Sequence, residues 1–191
     1  MIELRIATPA DARALLEIYG PYVTETSITF ETEVPTLEEF QRRIRDISKQ
    51  FPYLVAEENG EILGYAYAHP YHERAAYHWT VETSIYVKMD CHRKRIGARL
   101  YGALLALLRL QGVHTACAAI TMPNDRSMAF HEKMGFQLGG VLPAIGYKFG
   151  TWYGTAYCYC RLRDLQETPE KLTAFPALDK TMTQEILSGN F

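Results

Sequence analysis

The sequence predicts an α/β fold of the α+β kind, a mixed sheet with helices on its faces, and three observations lead there. Runs with period-two alternation are interleaved with segments whose apolar residues recur every three or four positions. Asn59-Gly60 stands between two apolar runs, a strong hairpin signal. The chain has 191 residues, 48% hydrophobic and 22% charged, enough to bury a core without staples and of a size for one domain.

Ile2, Leu4 and Ile6 alternate with Glu3, Arg5 and Ala7 as a half-buried strand. Thr8 caps a helix with Pro9 in its first turn, and Gly20-Pro21 is expected to end it. Thr36 and Glu39 form a capping-box pattern ahead of Leu37, Phe40, Ile44 and Ile47, one apolar helix face. Residues 53–57 and 62–68 are the hairpin strands. In the next strand, 80–87, Val81, Thr83, Ile85 and Val87 face one way and Glu82, Ser84 and Tyr86 the other. A helix from Gly97 carries Leu100, Leu104, Leu107 and Leu108 and stops at Gly112. Residues 115–121 are nearly all apolar, as in a strand covered on both faces. A short helix follows Pro123-Asn124-Asp125 and ends at Gly135. Strands at 136–141 and 153–161 complete the sheet. Residues 164–191 hold two prolines and little periodicity, and are expected to be packed on the domain or partly mobile.

Composition excludes several classes. The 22 acidic and 20 basic side chains give a net charge of −2, without the basic excess of a nucleic-acid binder. No apolar run approaches the roughly 18 residues of a membrane span. The N-terminus lacks the apolar core of a signal peptide, so a cytoplasmic location is expected. The scatter of Cys91, Cys117, Cys158 and Cys160 suits free thiols rather than a disulfide framework. His69-x-x-His72 lacks the further ligands of a metal site, and no metal is expected. Thirteen tyrosines, many at 65–101 and 147–159, suggest an aromatic-lined pocket or interface.

Residues 85–100 carry the chemistry. A buried strand ends, a basic loop follows, and a helix starts at Gly97. Between 88 and 99 stand Lys88, Arg93, Lys94, Arg95 and Arg99 against Asp90 alone. Free amides at the helix start, with the helix dipole, suit a phosphate. No G-x-x-x-x-G-K-[ST] or G-x-G-x-x-G pattern is present.

His92-Arg93-Lys94-Arg95-Ile96-Gly97 resembles the pyrophosphate loop of the GNAT acetyltransferase superfamily, [QR]-x-x-G-x-[GA], with His92 and Arg95 departing from it. Residues 124–136, from Asn124 to Phe136, resemble the family's N-x-x-[SA]-x-x-x-[YH]-x-x-x-G-F segment. Residues 51–57, 64–68, 74–87 and Gly146-Tyr147-Lys148 are similar to the phosphinothricin and methionine sulfone N-acetyltransferases. The resemblance runs from about residue 3 to 163. It implies a GNAT domain over 1–163 with a C-terminal extension over 164–191. The implied sheet is mixed but mostly antiparallel, has helices on both faces, and is splayed where acetyl-CoA lies.

The implied reaction is direct transfer from acetyl-CoA to the amine of a small amino-acid-like substrate, of the methionine sulfone, methionine sulfoximine or phosphinothricin type. Other readings are a protein or peptide N-acetyltransferase and a non-catalytic acyl-CoA sensor. Glu82 is the candidate base, directly or through water. The Val87 amide, beside Ile85 and Tyr86, is the expected oxyanion donor. His131 stands where the family often has a tyrosine and fits an acid, a base or a solvated helix residue. Arg93, Lys94, Arg95, Ile96, Gly97 and Ala98 would hold the pyrophosphate. Asn124 would contact the pantetheine arm, although alone it reads as a helix cap. Phe30, Arg74 and Tyr77 would form the substrate pocket, with Arg74 on its carboxylate. A homodimer is implied, with Tyr153, Tyr157 and Tyr159 available to face a partner.

Overall fold

The computed structural model describes residues 2–91 and 95–189. In chain order the elements are β1 (Glu3–Ile6), α1 (Ala12–Glu25), α2 (Leu37–Ile47), β2 (Tyr53–Glu58), β3 (Glu61–Pro70) and β4 (Thr80–Val87). Then come α3 (Ile96–Gln111), β5 (Thr115–Met122), α4 (Asp125–Lys133), β6 (Gln137–Lys148), β7 (Thr151–Arg161) and α5 (Lys180–Leu187). The strands form one sheet in the order β1-β2-β3-β4-β5-β7-β6. Every neighbouring pair is antiparallel except β4 and β5. The mixed, mostly antiparallel sheet expected from the sequence is present.

Alternation along the strands divides the apolar residues between two cores. Tyr53 and Val55 of β2 meet Leu15, Ile18 and Tyr19 of α1 and Phe40 and Ile44 of α2. Leu54 and Ala56 point the other way, into the core that holds Leu100, Leu104, Leu107 and Leu108 of α3. Both faces of β1–β4 are therefore covered by helices. The Asn59-Gly60 turn joins β2 and β3 with both residues at positive φ, 54° and 83°, as a two-residue hairpin loop requires.

The pairing of β4 with β5 creates the feature that matters for function. It lasts only from Thr80 opposite Thr115 to Glu82 opposite Cys117. Beyond Glu82, β4 continues to Val87 against β3, and β5 continues to Met122 against β7. The sheet is parted from Thr83 onward.

Three expectations are corrected. Helix α1 does not stop at Gly20-Pro21 but runs to Glu25 with Pro21 inside it. Proline removes one ladder hydrogen bond, yet the turn beyond it buries Tyr22 and Val23, and the Tyr22 hydroxyl donates to the Val87 carbonyl at 2.6 Å. Strand β6 continues past Val141 to Lys148, through Pro143 and two register shifts. It is an edge strand, where a missing N–H is tolerated. Strand β5 is not covered on both faces, since Thr115 and Cys117 are half-buried and Ala119 is exposed. For the C-terminal segment the packed alternative is the one seen, through Leu172, Phe175, Leu178 and Leu187, which are buried in the α3 core, and α5, a helix capped by Asp179. Gln111 of α3 donates to the carbonyls of Gln50 and Thr173, tying this segment down.

Candidate active site between the parted strands

The gap between β4 and β5 is a cavity of about 290 Å³. Its walls include Glu82, Ile85 and Tyr86 from β4, Phe30 from the loop between α1 and α2, and Asn124 and His131 from the start and end of α4. Six of the residues singled out in the sequence thus meet in one place. Thr83, Thr121 and Ser127 line it as well.

Glu82 is half-buried on the last paired rung of the parallel ladder, between His69 of β3 and Cys117 of β5. Its charge is felt by its neighbours. The Cys117 thiol is pushed up to about 11, by burial first and by Glu82 second. The Tyr71 phenol is raised by burial, with Cys117 and Glu82 contributing.

Hydrogen-bonded and non-bonded pairs alternate along an antiparallel ladder. Lys88 N donates to Leu63 O at 2.9 Å, so the next rung, Val87 opposite Gly64, directs its backbone groups away from β3. The N–H groups of Val87 and Ile85 therefore face the gap. The Val87 carbonyl, on the following peptide unit, accepts from the Tyr22 hydroxyl.

His131 is only 5% exposed. Its Nδ1 lies 2.8 Å from the Ser127 carbonyl and its Nε2 3.1 Å from the Tyr101 hydroxyl. A carbonyl only accepts, so Nδ1 carries the hydrogen. Burial lowers the His131 pKa below its usual 6.5, with the Ser127 carbonyl opposing. The ring is neutral at pH 7, and Nε2 is an acceptor to which Tyr101 donates. Tyr101 in turn lies 2.6 Å from Thr83 Oγ1, itself within 2.9 Å of the Cys117 carbonyl. A buried chain thus links His131 to Thr83 at the cavity wall. The sequence reading missed Tyr101 and Thr83. Their only signal was position, Thr83 beside Glu82 and Tyr101 one turn into α3.

Asn124 is the α4 cap, its side-chain oxygen accepting from Ser127 N at 3.1 Å. That leaves its side-chain NH₂ as a donor at the cavity. Helix α3 begins at Ile96, one residue before Gly97, with Arg95 as its cap in the left-handed region at φ 56°. That conformation costs a non-glycine residue about 1 kcal/mol, and it is where the related pattern has glycine. Ile96 is buried in the core, so only its backbone is available to a ligand. A Cβ on Gly97 would sit 3.4 Å from the Phe130 ring, so glycine lets the helix start lie close to α4. Arg99 N already bonds Arg95 O. The amides of Ile96, Gly97 and Ala98 belong to the open first turn, at the positive end of a 16-residue helix. These donors, next to a cavity between parted strands, fit a phosphate-bearing thioester such as acetyl-CoA. Arg93 and Lys94, together with His92, lie outside the described residues.

Arg74 and Tyr77 are not in the cavity wall. They sit on the exposed loop before β4, where Arg74 caps a short 3₁₀ turn and the Tyr77 ring meets Tyr71 and His72. Among the described residues, no group of three His, Cys, Asp or Glu could hold a metal, and no helix is long and apolar enough to cross a membrane.

Residues 4–156 match the model of the acetyltransferase (GNAT) domain family. A phosphinothricin N-acetyltransferase of Streptomyces viridochromogenes is 38% identical over 156 residues, 82% of this chain and 85% of that protein. An L-methionine sulfoximine/L-methionine sulfone acetyltransferase of Pseudomonas paraeruginosa is 34% identical over 87% of this chain and 98% of its own length. Among solved structures, a GNAT superfamily phosphinothricin acetyltransferase from Sinorhizobium meliloti in complex with AcCoA superposes with a TM-score of 0.84. It is 33% identical, covering 91% of this chain and 98% of that one. With the parted sheet, the open α3 start and these matches together, the chain belongs to the GNAT acetyltransferase family, whose members are acetyl-CoA-dependent transferases.

Proposed function

We propose that this enzyme acetylates the amine of a small amino-acid-like substrate, of the methionine sulfone, methionine sulfoximine or phosphinothricin type. The observation that carries the reading is the convergence of Glu82, the Val87 amide and His131 on one gap beside the α3 start. The names of the relatives supply the substrate class.

Acetyl-CoA brings an activated acetyl group. The α3 amides and the loop ahead of them, including Arg93 to Arg95, would hold its pyrophosphate, and the Asn124 NH₂ its pantetheine arm. Glu82 removes a proton from the substrate ammonium, directly or through a water. The freed amine attacks the thioester carbonyl carbon, and the Val87 N–H donates to the carbonyl oxygen as charge develops on it. The C–S bond then breaks and the second amine proton passes to the departing thiolate, so that coenzyme A leaves as the free thiol. His131, neutral and with Nε2 accepting from Tyr101, would act as a proton acceptor through that hydroxyl rather than as an acid. Phe30 walls the substrate. Arg74 and Tyr77, which stand on the exposed loop before β4 and outside the cavity wall, would close on the substrate, the planar guanidinium onto its carboxylate and the tyrosine adding a hydroxyl.

That assignment predicts a contrast. Arg74→Ala should lower kcat/KM for carboxylate-bearing amines by roughly 10- to 150-fold, the cost of a charge-assisted hydrogen bond, and leave plain alkylamines nearly unchanged. Steady-state kinetics on both substrate types checks it, and an equal loss on both would remove Arg74 from carboxylate recognition.

A cytoplasmic homodimer accompanies this reading, and its support lies on β6. Leu138 (54% exposed), Val141, Leu142, Ile145 and Tyr147, with Trp152 of β7 (62%), form an apolar surface on the edge of the sheet. An uncovered apolar edge invites association, and a second copy of this chain would cover it. Tyr153 and Tyr157 of β7 are half-buried within the chain, so β6 rather than β7 supplies most of the surface. Light scattering at micromolar concentration should give twice the 21.8 kDa of one chain, and Leu142→Glu should halve it. A wild-type monomer would contradict the dimer.

A further inference from the structure

Lys148 is 3% exposed, although lysine is among the side chains least often fully buried. None of the reaction steps uses it. Its Nζ donates to the Thr29 carbonyl at 2.8 Å and lies 4.9 Å from the centre of the Phe149 ring. Thr29 and its neighbours Ile28 and Phe30 form one side of the cavity.

Other contacts hold this loop from three directions. Thr121 of β5 donates to the Ile28 carbonyl at 3.2 Å, Tyr19 of α1 bonds the Thr29 hydroxyl at 2.8 Å, and Arg43 of α2 pairs with Glu31 at 2.6 Å. Among the described residues, Lys148 alone has a side chain bonded to the backbone of the residue just before Phe30. The Phe30 ring is 38% exposed, so its own burial does not fix it. It lies against the backbone of Gly146: a Cβ there would stand 2.3 Å from Phe30 Cε2 and 2.4 Å from Cζ, inside any allowed contact. Two residues of β6, 119 positions further along the chain from the loop in the case of Lys148, thus determine where the substrate wall stands. Burying an ammonium is costly, and the Thr29 carbonyl, the Phe149 ring and the charge of Glu31 are what face it; a retained cost of that kind calls for a role.

We propose that Lys148 is a positioning residue for the amine substrate: it pins the Thr29 carbonyl and so holds the Phe30 ring against Gly146, setting the width of the substrate pocket. The proposal rests on the reading of Phe30 as the substrate wall. A lysine suits the position because its stem spans from the sheet edge to the loop while its head carries a strong donor.

The test uses the full chain. Lys148→Met keeps the stem and removes the donor, and Gly146→Ala displaces the ring directly. Each should raise KM for the amine roughly tenfold, leaving kcat and the KM for acetyl-CoA within about twofold. Hydrogen exchange of the amides in 26–36 should quicken in Lys148→Met while β2–β4 stay protected. A general structural role would instead move both KM values and kcat together, and that result overturns the proposal, as does unchanged exchange in 26–36. Should Lys148→Met fail to fold, Gly146→Ala carries the kinetic test with the same required signature. If the wild type acetylates no amine, the proposed function fails, while the exchange measurement still decides whether Lys148 pins the loop.

Discussion

Glu82→Gln should lower kcat by about 10²-fold or more, within the range for loss of a general base. The substitution keeps the shape of the side chain and leaves the rungs to His69 and Cys117 unaltered, so the sheet is not disturbed. Acetyl-CoA affinity should change little, because the amides proposed to hold its pyrophosphate lie at the start of α3 and not on the paired end of β4. The expected result is therefore a loss in kcat at nearly constant acetyl-CoA binding, measured by turnover and calorimetry on the same preparation. Wild-type turnover at pH 7 would remove Glu82 as the base. The role would then pass to His131, whose Nε2 is already an acceptor and which reaches the cavity wall through Tyr101 and Thr83.

The second large effect concerns stability. Phe175 lies in the segment after the catalytic sheet, yet it is buried in the core beneath α3 with Leu172, Leu178 and Leu187, and its N–H bonds the Gln50 carbonyl at 3.0 Å. Phe175→Ala should cost about 3–5 kcal/mol, the transfer of the ring plus the cavity it leaves. At about 2–4 °C per kcal/mol for a chain of this size, the melting temperature should fall by roughly 6–20 °C. Denaturant titration and thermal melting both read it. A cost under about 1 kcal/mol would mean that residues 164–189 fold apart from the sheet. The larger value would make the segment part of one folding unit with it, supporting α3 and thereby the helix start at the cofactor end.

The elements that carry local signals were legible in the sequence. Asn59-Gly60 makes the hairpin, Thr36 caps α2 by accepting from Glu39 N, and Gly112 ends α3 in the left-handed conformation. The alternation of β4 correctly separated Val81 and Ile85 from Glu82 and Tyr86. Elements set by distant contacts were not. Pro21 looks like a helix terminator because the contact that rewards the extra turn, Tyr22 to Val87, spans 65 residues. The segment after residue 163 has no helical period because its buried residues come from an irregular stretch and a two-turn helix. The same division applies to the site. Glu82, His131 and Asn124 were found because their motifs are linear. Tyr101 was one of thirteen tyrosines until the fold set its hydroxyl against His131. Lys148 was noticed only as part of a matched tripeptide, and its reach to Thr29 exists only in three dimensions. Arg74 and Tyr77 stand apart from the cavity, on the exposed loop before β4.

Release of free thiol from acetyl-CoA across a panel of amines tests the central claim most directly. The panel should contain methionine sulfone, methionine sulfoximine, phosphinothricin, polyamines and peptides with free N-termini. The account predicts thiol release with the amino-acid-like members, faster than with polyamines or peptides, and abolished or strongly reduced by Glu82→Gln. Binding of acetyl-CoA with no release on any amine would contradict it, as would a clear preference for peptides or polyamines.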